Sequence, residues 1–252
     1  MTEELFRNDA TLFECEARIV AVDDAGIELD RTVFYPQGGG QAGDAGWLVL
    51  SDGTTLAIAD TRKHPERAGA IAHVPASDAD PAAWRAAFVP GAAVTARIDG
   101  QRRRAHMRLH TATHLLCALV PHPVDGCSIT AGYARLDFHM NEPLDKEALT
   151  AGIARFVAAR RPVRHRWISE AELDANPGLV RSMRVQPPRS ATGEGRVRVI
   201  DIEGVDAQPC GGTHVADTHE VGDVIVTKIE KKSAMTRRVV LGFAVAPATA
   251  AG

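Results

Sequence analysis

Two short stretches carry side chains whose type and spacing suit metal chemistry. The first is HTATHLL at 110–116, in which His110 and His114 stand four residues apart. On a helix that spacing puts both imidazoles on one face, about one turn apart, as two ligands of one ion require. The chain has 10 histidines, so a chance pair at this spacing is common, and for this motif alone a core or surface pair is the better reading. The second stretch is CGGTH at 210–214, which offers Cys210 and His214. Its two glycines allow a sharp turn that points both side chains the same way, and Pro209 stiffens the entry; a glycine turn around a buried cysteine is the plainer alternative. Taken together the stretches supply three imidazoles and one thiolate, a borderline-soft set that favours Zn2+. The helix lacks the glutamate of an HExxH base. A fully protein-ligated ion is a closed site, so catalysis there would require a fifth position, a displaced ligand or the substrate's own polar groups.

A third stretch, FYPQGGGQAGDAG at 34–46, joins three glycines to Gln41. It could be a phosphate cradle, a barrel-corner turn or the GGQ tip of a release factor. A P-loop needs Lys and Ser/Thr where Gln41 and Ala42 stand. A release-factor tip works without a metal, whereas here a candidate zinc set lies about seventy residues downstream.

The elements that must hold these residues fall into two parts, 1–98 and 99–252. The first reads as closely spaced short strands: 11–22 and 27–35 as a hairpin with a left-handed glycine at Gly26, 47–50 and 55–60 as another, then 70–74 and 92–98. Asp80 caps a short helix with Pro81 at its first turn. This pattern predicts a small β-barrel. In the second part, Ala105, Leu109, Ala112, Leu116 and Leu119 form a helical stripe over 101–120, with the two histidines flanking it at the rim of the core. A second helix spans 145–160 with Asp145 as N-cap, and a third begins at a capping box of Ser169 and Glu172. Strand patterns cover 127–139, 163–168, 196–202, 221–230 and 237–245. The expected fold class is α+β, a barrel followed by helices packed on an antiparallel sheet. Segment 184–195 reads as a mobile loop and 246–252 as a frayed tail.

Composition narrows the function. With 252 residues, 45% of them apolar, the chain can bury a substantial core. Four scattered cysteines, Cys15, Cys117, Cys127 and Cys210, make no disulfide framework and point to a reducing compartment. The acidic start MTEELFRND is no signal peptide, and no apolar run has membrane-spanning length. A cytoplasmic protein without a membrane partner is expected. Through residue 98 there are 8 Lys+Arg against 15 Asp+Glu, and beyond it 21 against 17. Basic clusters at Arg102-Arg103-Arg104, Arg160 to Arg166 and Lys228 to Arg238 permit a polyanionic partner, with solvated surface as the equal alternative.

FYPQGGGQ, HTATHLL and CGGTH, in this order, resemble the alanyl-tRNA editing proteins of the AlaX family, relatives of the editing domain of alanyl-tRNA synthetase. ARLDF at 134–138, VRVIDI at 197–202 and KIEKK at 228–232 add to the match, which covers roughly 10–245. Threonyl-tRNA synthetase editing domains share the two metal motifs and lack the glycine-rich one. The resemblance implies a translation-protein-like barrel and a medium-length, free-standing editing protein. It implies hydrolysis of the ester in tRNA(Ala) mischarged with serine, and in some members glycine. It assigns zinc to His110, His114, Cys210 and His214, catalysis to Gln41 with His110 and His114, and the substrate's surroundings to Thr32, Gly38, Gly39, Gly40 and Gln41. A deacylase with another cognate, such as Thr-tRNA, and an inactive zinc-stabilised tRNA-binding module are the rivals. Two departures from the family pattern are Lys232-Ser233-Ala234-Met235-Thr236-Arg237, where Gly and Asn are frequent, and Gln37, where Glu, Thr or Ser is common.

Overall fold

A computed structural model describes residues 1–183, 187 and 195–244. The chain divides into two compact units, Met1–Gly38 with Ala42–Arg104, and Gly39–Gln41 with Ala105–Gly252. Gly39–Gln41 of the glycine-rich stretch thus group with the second unit.

The first unit is a closed antiparallel barrel, as the short alternating strands predict. Going round it, the strands are Glu14–Asp23, Gly26–Leu29, Ile71–Pro75, Thr55–Lys63, Gly46–Leu50 and Ala93–Ile98. Their inward residues, among them Ile19, Ile27, Leu29, Leu48, Ile58, Val94, Ala96 and Ile98, form one core. Helix Pro81–Ala87 adds Trp84 and the adjoining Phe88 to it. Asp80 caps that helix by accepting from the Ala82 N–H.

Two local expectations fail in the barrel. The strand expected over 27–35 stops at Leu29, because the Asp30 carboxylate accepts the Arg18 and Arg31 N–H groups and draws the backbone out of the ladder. Gly26 has φ 134°, outside the left-handed helical region expected for it; glycine is required because a Cβ there would lie 2.3 Å from the His73 carbonyl oxygen.

His73 is fully buried, with Nδ1–H donating to the Ile27 carbonyl at 2.8 Å. Burial holds its pKa down at about 4. The unfolded chain therefore takes up a proton before the folded one does. This stability is complete above pH 6.5 and is lost as pH falls toward 4, by up to about 3 kcal/mol. Urea unfolding at pH 7 and pH 5 should show the loss, and His73→Gln should flatten the difference between the two pH values. An equal decline in the variant would remove His73 as its source.

The second unit holds a four-stranded antiparallel sheet in the order Val224–Ser233, Thr236–Phe243, Tyr133–His139, Val124–Ile129. Helix Lys146–Ala158 packs on its Val224–Ser233 strand. The α+β architecture is as expected. The single strand read over 127–139 is a hairpin, broken where the Thr130 hydroxyl accepts from the Gly132 and Tyr133 N–H groups. A separate sheet orders Val163–Ser169, Arg196–Ile202 and Asp206–Pro209, the last of which the sequence reading missed. Ser169 does cap helix Glu170–Ala175, accepting from the Glu172 N–H, but no reciprocal bond from Glu172 appears among the described contacts. A complete capping box occurs instead at Asp217 and Glu220.

Helix Gly100–Leu119 is buried on every side from Leu109 to Cys117, so His110 and His114 lie deeper than the rim position expected of them. Helix Lys146–Ala158 approaches it closely at Gly152, where a Cβ would meet Leu119 Cδ1 at 2.7 Å. The expectations for a mobile loop at 184–195 and a frayed tail at 246–252 fall, apart from Pro187 and Gly195, outside the described residues.

Candidate metal centre

His110, His114, Cys210 and His214 converge in the second unit, with their ligand atoms all within 4.8 Å of one another. The helix supplies the first two from adjacent turns, and the CGGTH turn supplies the others. Cys210 Sγ lies 3.4 Å from His110 Nε2 and 3.3 Å from His214 Nε2. A tetrahedral zinc, with bonds of about 2.0–2.1 Å to nitrogen and about 2.3 Å to sulfur, sets these separations at about 3.5 Å. These two separations therefore already match the spacing such an ion needs.

Each imidazole is held through its other nitrogen. His110 Nδ1–H donates to Gln41 Oε1 at 2.7 Å. His214 Nδ1 meets the Thr111 hydroxyl at 3.1 Å. His114 Nδ1 meets Asp206 Oδ2 at 3.0 Å. In each case Nε2 is left as the ligand atom, which is how histidines at metal sites are usually oriented.

The turn itself is pinned from behind. Buried Arg198 donates from Nη1 to the carbonyls of Cys210 at 2.9 Å and Gly212 at 3.0 Å. Gly212 can only be glycine, since a Cβ would lie 2.1 Å from His110 Cε1.

Proton placement follows from these contacts. Burial pushes the Cys210 thiol up, but His110 and His214 beside it outweigh that and hold it well below the usual thiol value. Burial disfavours a charged His114, yet its bonds to Asp206 and Cys210 carry it up to about 10. Burial, with His110 adjacent, pushes His214 well below the ordinary imidazole value. A cation held here would take Cys210 as its thiolate and His114 with Nε2 unprotonated.

The glycine-rich residues take defined places. Gln41 is fully buried; Oε1 also accepts the Thr213 N–H at 3.1 Å, and Nε2 donates to Thr213 Oγ1 at 2.9 Å. Gly39 and Gly40 have φ of 58° and 88°. A Cβ on Gly40 would sit 2.9 Å from Cys127 Sγ, and its carbonyl accepts from Ile129 N–H at 2.7 Å. These contacts fix Gly40 and Gln41 along the edge of strand Val124–Ile129. Gly38 and Thr32 belong to the barrel unit. There the Gly38 carbonyl accepts from the Tyr35 hydroxyl at 2.8 Å. Thr32 is fully buried, donates to His73 Nε2 at 2.8 Å and accepts from Phe34 N–H at 3.0 Å.

Four supports escaped the sequence reading: Thr111, Arg198, Asp206 and Thr213. Thr111 and Thr213 sit inside the two metal motifs and were legible as polar residues without a task. Nothing in the spacing of Arg198 or Asp206 marks them.

The basic clusters are partly structural. Arg103 is completely buried and Arg102 donates to the Gly43 carbonyl, while Arg104 stacks on Phe13 at 4.5 Å and stays exposed; of the Arg102-Arg103-Arg104 run, Arg103 is thus no part of a basic surface. Arg237 donates into the backbone of its own hairpin and to the Asn141 carbonyl, while Arg238 pairs with Asp137. Lys228, Lys231 and Lys232 remain exposed.

Residues 197–240 match the family described as the threonyl and alanyl tRNA synthetase second additional domain. Residues 7–102 match the class II (A) tRNA synthetases. The alanyl-tRNA editing protein AlaX-M of Methanosarcina barkeri is 34% identical over 247 residues, spanning 94% of this chain and 97% of that protein. The chain belongs to the AlaX family. The AlaX-M of Saccharolobus solfataricus is 29% identical across 95% of this chain and 98% of its own length. The alanine–tRNA ligase of Methanothermobacter thermautotrophicus is 31% identical over 91% of this chain, which corresponds to 25% of that larger protein. In AlaX terms, both the barrel and the unit holding the metal centre lie inside the aligned region. No helix among the described residues is long and apolar enough to cross a membrane.

Proposed function

We propose that this AlaX protein is a trans-acting, zinc-dependent deacylase that hydrolyses the ester of mischarged tRNA(Ala), with serine as the principal misacylated residue and glycine as a second. The observation that carries the reading is the convergence of four ligand atoms from two remote motifs, with Gln41 of the third motif bonded to one of them. The chemical need is clear: an alanine pocket cannot strongly exclude the smaller glycine, nor a serine that adds only a hydroxyl, so a second site must check the product.

In this reading His110, His114, Cys210 and His214 hold the ion. When bound, zinc supplies a Lewis acid near the ester carbonyl and favours attack by water. Gln41 acts on the reaction as a positioning residue through His110, which its Oε1 holds, and with one Nε2–H given to Thr213 its second N–H suits a contact with the aminoacyl group, as the family resemblance implies. Gly39 and Gly40 are carried as substrate-binding residues on the family resemblance, glycine permitting close approach to the backbone. Thr32 and Gly38 are carried as substrate-binding residues on the family resemblance alone. Exposed Lys228, Lys231 and Lys232 suit contacts with tRNA phosphates. A cytoplasmic location fits a tRNA substrate.

The deciding experiment measures deacylation of Ser-, Gly- and Ala-tRNA(Ala), with charged tRNA(Thr) alongside. Rapid hydrolysis of Ser-tRNA(Ala), with Ala-tRNA(Ala) spared, is expected. Comparable loss of Ala-tRNA(Ala) would contradict an editing role, preference for charged tRNA(Thr) would move the cognate, and zinc and tRNA binding without turnover would mark an inactive module.

A further inference from the structure

The three imidazoles of the metal centre are supported unequally. His110 leans on an amide oxygen and His214 on a hydroxyl, both neutral. His114 alone leans on a carboxylate, that of Asp206, whose side chain is only 1% exposed. A buried carboxylate is costly unless its charge is needed. Here the need is visible: a divalent cation with one thiolate leaves one net positive charge in a buried place, and Asp206 cancels it.

Asp206 is in turn held from two sides. Gln208 Nε2 donates to Oδ2 at 2.8 Å, fixing the plane of the carboxylate. Arg181 faces Oδ1 at 3.9 Å, too far for a direct hydrogen bond but close enough to offset part of the charge. Among the described residues Oδ1 has no hydrogen-bond partner. Arg181 and Asp206 both line a shallow surface depression with Gly204, Val205 and Ala207. The carboxylate therefore connects a metal ligand on one side to a half-buried cation at the surface on the other.

We infer that Asp206 is the positioning residue that sets the affinity of the centre for its metal, by fixing His114 with Nε2 free and supplying the balancing charge, and that Arg181 opposes it. This rests on the metal reading above. The two residues should consequently act with opposite sign, which packing roles alone do not predict.

The test uses the full-length protein and competition for Zn2+ against a chromophoric chelator. Substitution Asp206→Asn is expected to weaken zinc binding about 10- to 100-fold, the usual cost of removing such a partner. Substitution Arg181→Met is expected to tighten it, and the double variant should resemble Asp206→Asn. The Co2+-loaded Asp206→Asn protein should keep the absorption of a tetrahedral thiolate site, because all four ligands remain. Failure of the unsubstituted protein to bind one zinc would defeat the metal reading itself. If that protein binds zinc but Asp206→Asn binds as tightly, or if Arg181→Met weakens binding as Asp206→Asn does, the inference is wrong. Loss of the tetrahedral cobalt spectrum in Asp206→Asn would also overturn it, by making Asp206 necessary to the geometry rather than to the affinity.

Discussion

Removing the metal is expected to reduce Ser-tRNA(Ala) deacylation at least about a hundredfold, and one equivalent of zinc to restore it. The magnitude follows from the several kcal/mol that a bound divalent ion contributes to a carbonyl reaction, at a factor of ten per 1.4 kcal/mol. His110→Ala should reproduce the loss without a chelator. It removes one ligand and also leaves Gln41 Oε1 with only the Thr213 N–H. Far-UV circular dichroism of the variant separates loss of the site from loss of the fold. Because metal ligands must be deprotonated, zinc uptake should release protons and weaken in acid. Full turnover by a protein shown to be metal-free would sink the zinc assignment.

The second large effect is expected in the barrel. Arg103 is fully buried, and its guanidinium pairs with Asp44, itself 1% exposed. It also donates to the carbonyls of Ala10 at 2.8 Å and Val33 at 2.5 Å. Asp44 in turn accepts the Tyr35 N–H at 2.7 Å. One side chain thus ties together the chain near residue 10, the end of the Phe34-Tyr35 segment and the exit of the glycine-rich stretch. Arg103→Met should cost about 3–5 kcal/mol in urea unfolding, because it leaves the Asp44 charge buried without its counterion. Adding Asp44→Asn should recover part of that loss, since the uncompensated charge is then gone. A change below 1 kcal/mol in the single variant would show that the barrel does not depend on this pair.

Arg103 also shows where sequence reasoning misleads. Three consecutive arginines look like a surface for a polyanion, yet they follow the chain into a helix whose faces differ. Position 103 turns inward, 104 covers Phe13 and 102 reaches a backbone carbonyl. Periodicity could place them on a helix but could not say that an inward face would meet a carboxylate from residue 44. The same limit applies to the long helix as a whole. Its apolar stripe was legible, while the burial of Leu109 to Cys117 on all sides depends on which elements surround it.

The sequence by itself determined the barrel, the antiparallel sheet and the four residues that could hold a metal. Alternation, turn residues and caps act over a few positions, and HTATH and CGGTH keep their donors at fixed local spacing. Only the tertiary structure decided what joins those donors and what holds them. Gln41 lies 69 residues from His110 and Asp206 lies 92 from His114, separations at which no local pattern constrains partner choice. The buried imidazoles need those partners because a ring nitrogen without one costs free energy and leaves the tautomer undefined. The glycine-rich stretch, ambiguous as a string of residues, acquires its meaning the same way: two positive-φ glycines carry the chain to the sheet edge so that Gln41 can face His110.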